Sequence, residues 1–335
     1  MGKRKGKWEF LPDFEVSAIP QNRPNNSKDF RQIFRDSPPL ILHNLKASSQ
    51  FQEVSPSMSN FQKIHFISGL PRSGSTLLAA LLRQNPRFQA GMTSPVGGLV
   101  ERMLEAMSDN NEFSVFLTPQ QKRTLLFSIF DAYYQPFADQ TVIFDTNRLW
   151  CSKLPLITEL FPEAKVLCCV RNVAWIMDSI ERLIRRNVFE VSRLFNNAAE
   201  RATVYSRTEA LSMGGRLVGF AYNALKEAYY SDHSDRVLLV DYELLSKGPE
   251  KTINLIYQFI NEEPFDHDFV NVQYSEPEFD DRLNTQGLHT VRAKVEFQPR
   301  QTILPPDLFA QFSQLSFWSD GSNTKASAIV AKPKV

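Results

Sequence analysis

The chain has 335 residues, of which 42% are hydrophobic and 22% charged, with a formal net charge of +1. That length buries a large core and holds one large α/β domain or two small ones, and the near-zero balance gives no general attraction for nucleic acid or an anionic surface. Three cysteines (Cys151, Cys168, Cys169) and five histidines (His43, His65, His233, His267, His289) show no metal-ligand spacing. No metal site is expected, and the cysteines read as reduced structural residues of a cytoplasmic protein. No apolar run approaches the roughly 18 residues of a membrane span, and no signal-peptide pattern opens the chain.

Residues 1–60 are rich in Pro, Asn and Ser after a basic start at Lys3, Arg4, Lys5 and Lys7. They predict a partly disordered extension in which Phe30, Ile33 and Phe34 are able to pack on a main domain. Residues 64–67 form a short β-branched run, followed by a turn over 69–75 and a strongly helical segment to Leu82. Thr118 and Gln121 make a capping box with Pro119 at the first helical position, which predicts a helix to about Tyr134. Residues 141–145 and 165–170 read as further buried strands, with a short proline-broken helix over 152–161 between them. Val173, Ile176 and Ile180 have the spacing of a helix laid on a sheet. Residues 194–212 are polar and irregular, which suggests a substrate-facing helix pair or lid. A helix to Tyr230, a strand over 236–241 and a helix over 249–260 follow, then loops, then a disordered tail from Asp320. Strands and helices alternating with short links imply an α/β fold, a mostly parallel central sheet flanked by helices. Ligands of such sheets sit beyond the carboxyl ends of the strands. Residues 69–76, Asp145, Arg148, Arg171 and Tyr242 all fall there.

The turn after the first strand carries the chemistry. A strand, a glycine-containing loop and a helix N-terminus aim unsatisfied N–H groups and a positive dipole end at one point, where an anion belongs. The spacing from Gly69 to Gly74 begins a Walker A loop, yet Ser75 and Thr76 follow where Lys and Ser or Thr would stand. Without that lysine the contact to β- and γ-phosphates is missing, and Arg72 offers its fork to a phosphate or sulfate oxygen pair instead.

This pattern resembles the 5′-phosphosulfate loop of the sulfotransferases that use 3′-phosphoadenosine-5′-phosphosulfate (PAPS) and release the 3′,5′-bisphosphate (PAP). Within that family it is similar to the branch of tyrosylprotein and many bacterial sulfotransferases. The resemblance runs from about residue 61 to 318 and implies a P-loop-like sulfotransferase fold. It also implies a main domain over 61–319. Residue by residue, it assigns Arg72, Ser73, Gly74, Ser75 and Thr76 to the 5′-phosphosulfate. Arg171 at a strand end and Ser179 eight positions on match the pair that holds the 3′-phosphate. Tyr242 matches a nucleotide-contacting tyrosine, with a core tyrosine at the sheet edge as its other reading. Thr290 and Arg300 fall in the C-terminal stretch that closes over the nucleotide. Arg148 occupies the position of a lysine that assists transfer. It stabilises a bridging oxygen without donating a proton at neutral pH, and a surface arginine is its alternative.

The chain departs from the family at the base. Where tyrosylprotein sulfotransferases carry a catalytic glutamate, this chain has Thr93, so Glu101, His289 and Asp145 remain as candidates. The implied function is a cytoplasmic sulfotransferase moving a sulfuryl group to a hydroxyl or amine of a small-molecule acceptor, with no nucleic-acid or membrane partner. A saccharide or protein-tyrosine acceptor is the alternative within the family. A P-loop kinase or NTPase, and a non-catalytic nucleotide-binding protein, are the alternatives outside it.

Overall fold

The computed structural model describes residues 61–186, 192–282 and 289–331. The extension expected over residues 1–60 lies outside them. Six parallel strands form one sheet in the order β2-β3-β1-β4-β5-β6. They are β1 (Lys63–Gly69), β2 (Phe88–Ala90), β3 (Val142–Thr146), β4 (Val166–Val170), β5 (Val237–Asp241) and β6 (Ser327–Ile329). The parallel α/β expectation holds, with β2 and β6 as short edge strands that periodicity did not reveal.

Alternation along the central strands sorts side chains between two cores. Ile64, Phe66, Val166 and Cys168 face one layer with Trp150, Phe130 and Phe161. Ile67, Leu167, Cys169 and Val240 face the other with Leu78, Leu81 and Tyr257. The first layer is covered by α3 (Pro119–Tyr134), α5 (Val173–Arg186) and α8 (Leu217–Tyr230), and the second by α1 (Ser75–Leu82) and α10 (Pro249–Ile260). Leu78, Leu81 and Leu82 of α1 are all 0% exposed. Each such leucine contributes about 2 kcal/mol by burial, enough to fix the helix against the sheet. The predicted capping box is present: Thr118 accepts from Gln121 N while the Gln121 side chain accepts from Thr118 N.

Chain order places the functional crevice. From β1 the chain moves to β2 and β3 on one side, then crosses to β4 and β5 on the other. Connections therefore diverge around β1 and β4, and the cleft beyond their carboxyl ends is the topological switch point. At its base is Gly69, with φ +99°. A Cβ there would sit 2.3 Å from the Cys169 carbonyl oxygen, so only glycine lets β1 turn this close to β4.

Two expectations need correction. Residues 320–331, expected to belong to a disordered tail, are tied to the body and contain β6. The Tyr229 hydroxyl donates to the Asp320 carbonyl at 3.2 Å, Thr324 Oγ1 donates to the Tyr229 carbonyl, and Lys325 N donates to Ser234 Oγ at 3.2 Å. These anchors bring residues 327–329 into register with Leu238, Leu239 and Val240. The polar stretch over 194–212 is a helix pair, α6 (Ala198–Arg201) and α7 (Val204–Ser212), but α7 is fastened rather than poised as a lid. Its Arg207 forks onto Glu181 of α5 at 2.6 and 2.8 Å, and the Glu181 side chain is only 2% exposed.

Candidate active site

The loop between β1 and α1 carries two left-handed residues, Arg72 (φ +58°) and Gly74 (φ +92°). An arginine in that region stores backbone strain, which persists where the surroundings over-determine the conformation. Gly74 is the N-cap of α1, and no side chain caps the helix. Its missing side chain is needed, since a Cβ would lie 2.8 Å from the Tyr242 ring. The first-turn N–H groups, with Ser75 and Thr76 beside them, thus face the crevice with a positive dipole end. Ser73 is placed differently from expectation. It is 1% exposed and its hydroxyl donates to the Pro71 carbonyl at 3.3 Å, so it shapes the loop from within.

Around the loop gather the residues expected at the nucleotide. Arg72 Nε donates to Ser179 Oγ at 3.2 Å, joining the loop to α5. Arg171, just past β4, lies with its guanidinium 4.3 Å from the centroid of the Tyr242 ring, at the start of α9 (Tyr242–Lys247). The Tyr242 ring packs between Gly74 and Arg171 at the sheet's carboxyl edge. The Arg171 Nε is buried with no hydrogen-bond partner among the described residues. Such an orphaned donor is costly unless a ligand completes it. Arg300 arrives from the C-terminal segment, 2.8 Å from Asp178 Oδ2 and 5.4 Å from the Trp175 ring.

The electrostatics follow from this crowding. Burial, and then Arg300, holds Arg72 below the usual arginine range. Burial does the same to Arg171, with Arg300 and Arg72 both adding to it against the opposing Tyr242 and Glu243. Arg300 too is lowered, first by burial, although Asp178 pulls the other way. None of these groups loses its proton near neutrality. The shared direction reports first the burial of these guanidiniums and then their crowding with one another.

Asp178 was not foreseen from the sequence. It is 0% exposed, and it accepts from Arg182 Nε at 2.9 Å, Ile303 N at 2.7 Å and Thr302 Oγ1 at 3.1 Å. Together with Arg300 these bonds dock the C-terminal segment on α5. The sequence signal was available, because Asp178 lies between Met177 and Ile180 on the apolar stripe of that helix.

The base candidates separate clearly. Asp145 is 0% exposed and accepts from Ser94 Oγ and Tyr134 Oη, both at 2.6 Å, and from Trp150 Nε1 at 2.7 Å. Burial raises its carboxyl and the three bonds oppose that rise. It is an internal fastener that no acceptor reaches. Glu101, on α2 (Val96–Ala106), is half exposed and ion-paired with Lys153 at 3.1 Å. Neither is a free base. Arg148 follows β3, exposed at the rim, with its carbonyl accepting from Ser68 Oγ at 3.2 Å.

His289 belongs to an arm that sequence patterning did not resolve. Residues 269–274 and 291–295 run antiparallel, joined by Val272 N to Ala293 O, Val291 N to Tyr274 O and Val295 N to Phe269 O at 2.8–3.0 Å. Tyr274 Oη accepts from Met92 N at 2.6 Å, holding the arm against the segment that contains Thr93. The helix α11 (Pro277–Arg282) lies at its tip and carries Asp280, which accepts from both Nδ1 (2.6 Å) and the backbone N (2.9 Å) of His289. Thr290 is exposed immediately after it. Among the described residues no cluster of three or more His, Cys, Asp or Glu side chains is placed to hold a metal ion. Nor is any described helix long and apolar enough to cross a membrane.

A family model described as the sulfotransferase family matches residues 65–267. Protein-tyrosine sulfotransferase 1 of Danio rerio is 25% identical over 206 residues, covering 58% of this chain and 52% of that protein. Protein-tyrosine sulfotransferase 2 of Gallus gallus is 26% identical over 204 residues, covering 58% of this chain and 50% of that protein. The chain thus spans about half the length of the curated relatives it matches. Among solved structures, the sulfotransferase domain of the Synechococcus PCC 7002 olefin synthase is similar at TM-score 0.45 and 20% identity, over 77% of this chain and 96% of that one.

Proposed function

The chain belongs to the sulfotransferase family, and from that premise we propose that it binds PAPS in this crevice and transfers the sulfuryl group to a hydroxyl or amine of a small-molecule acceptor. The observation that carries the proposal is the gathering of Arg72, Arg171 and Arg300 around the uncapped start of α1, with the Arg171 Nε buried and unpartnered. A ligand with two separated anionic ends fits this set better than a single phosphate does. The first-turn amides of α1, Ser75, Thr76 and Arg72 suit the 5′-phosphosulfate, and Arg171 with Ser179 suits the 3′-phosphate. Arg300, from the C-terminal segment, is suited to the same ligand. When bound, PAPS supplies an activated sulfuryl group with a phosphate leaving group. The chain's own part is to hold the acceptor in line and to stabilise negative charge as it develops. Arg148, at the rim beyond β3, is suited to the bridging oxygen. Three free, buried cysteines fit a reducing compartment such as the cytoplasm.

A protein-tyrosine acceptor is the second reading. The names of the two relatives favour it, and Thr93 in place of the expected glutamate speaks against it. A kinase or NTPase reading lacks its lysine, since Ser75 stands there. Calorimetric titration with PAP, beside 5′-AMP and magnesium ATP, tests the proposal. Clear preference for PAP is the expected result, and preference for magnesium ATP would overturn it.

A further inference from the structure

Sulfuryl transfer to a hydroxyl or amine needs a group that takes the acceptor's proton, and none of the residues assigned so far provides one. Asp145 is sealed in the core and Glu101 is paired at the surface. Residues 269–282 and 289–295 supply a different arrangement. Asp280 is 1% exposed, and both of its oxygens accept hydrogen bonds from one residue, His289. A buried carboxylate against Nδ1 fixes both the ring orientation and the tautomer, leaving the lone pair on Nε2. The Phe279 ring meets the imidazole edge to face at 5.4 Å and 73°, which holds the ring plane. The imidazole remains 16% exposed, so its free edge is accessible while its acid partner is not. Asp280 also acts on Arg72, which puts the pair within electrostatic reach of the loop. A buried carboxylate, an oriented imidazole and an exposed nitrogen form the arrangement that makes histidine a general base in other enzymes.

We propose that His289 Nε2 is the proton acceptor of the transfer, with Asp280 as its positioning residue. The inference rests on the sulfuryl-transfer reading above. As the acceptor's oxygen or nitrogen bonds to sulfur, its proton passes to His289 Nε2. The bond between sulfur and the bridging oxygen breaks at the same time, and its electron pair leaves with the phosphate. Asp280 is the charged group against the imidazole, and it also acts on Arg72 of the loop. Glu276 is on the same arm, and its carbonyl accepts from Asp280 N at 3.1 Å. It is the competing carboxylate, and the test includes it.

The experiment uses the full chain and has two readouts. With five histidines in the sequence, ¹⁵N-imidazole NMR assigned by the His289→Gln spectrum reports the tautomer without any turnover. Wild type is expected to carry its proton on Nδ1 of His289, and Asp280→Asn to redistribute it. A wild-type Nε2–H tautomer would overturn the proposal. The second readout is PAP release from PAPS, with water alone and with 2-naphthol as probe acceptor. His289→Gln is expected to lower kcat by about 100-fold or more. The KM for PAPS and the affinity for PAP should stay within about threefold, the scale of a group outside the binding contacts. Asp280→Asn should lower kcat less, and Asp280→Glu should restore part of it. Full turnover in His289→Gln, or its loss in Glu276→Gln instead, would sink the assignment. If wild type fails to bind PAP, the proposed function has failed, and the NMR result still decides whether the dyad exists.

Discussion

The two ends of one sheet treat charge in opposite ways. At the amino end, Glu262 is 3% exposed and sits 2.6 Å from both Lys63, the first residue of β1, and Arg87. Burial would raise its carboxyl, but those two cations hold it below the usual range. Nearby His65 is buried and neutral, its Nδ1 accepting from Lys165 N at 3.1 Å. At the carboxyl end, burial and then Arg300 hold both Arg72 and Arg171 below the usual arginine range, and an Arg171 donor is left without a partner. One end closes its charges within the protein, and the other leaves the Arg171 Nε for a ligand to complete. Stability and binding should therefore be separable by substituting one end at a time.

The largest effect is expected at the carboxyl end. Arg171→Ala should weaken PAP binding by about 3 kcal/mol, roughly 150-fold, as removal of a charge-assisted contact does. Stability of the unliganded protein should stay within about 1 kcal/mol, because a repulsive neighbour disappears along with the stacking on Tyr242. Calorimetry beside chemical denaturation would show both, and a destabilised variant that binds normally would break the comparison.

The second effect is acid sensitivity at the amino end. Burial lowers His65 from its ordinary value of 6.5 to about 4. The unfolded chain therefore takes up this proton before the folded one does. The stabilisation is complete above pH 6.5 and is lost as pH falls toward 4. It amounts to roughly 3 kcal/mol for a shift of this size. Unfolding midpoints across that range should flatten in His65→Phe, and an unchanged slope would refute the assignment.

A smaller effect is expected from Glu262→Gln. Its two partners are about half exposed, so water takes over part of the interaction and the loss should be about 1–2 kcal/mol of stability. PAP affinity should not move. The smallest is Arg123→Ala, which removes an ion pair with the exposed Glu159 and should change stability by no more than about 0.5 kcal/mol.

The sequence revealed the carboxyl-end loop well because its parts are contiguous. Strand periodicity ends at Gly69, the turn residues follow at once, and helix formers begin at Ser75, so local rules agree on one geometry. The positions of Arg171, just after β4, and Ser179, on α5, were legible for the same reason. The C-terminal arm was not, since its three backbone bonds join residues about 20 apart without a regular pattern and its tip is held by Asp280. Asp145 misled because a carboxylate at a strand's carboxyl end suggests chemistry. Only the positions of Ser94, Tyr134 and Trp150, drawn from three separate segments, show that it is enclosed. Ser73 misled more locally, as a loop hydroxyl that turned inward to Pro71.

The sixth strand bears on how the protein is handled in the laboratory. Its three residues cover the Leu238–Val240 edge of β5, which would otherwise present unpaired N–H and C=O groups in an apolar strand. A truncation ending near Asp320 would bare that edge as a template for another chain. Aggregation of such a fragment would then follow from the uncovered strand, with the crevice beyond β1 and β4 intact.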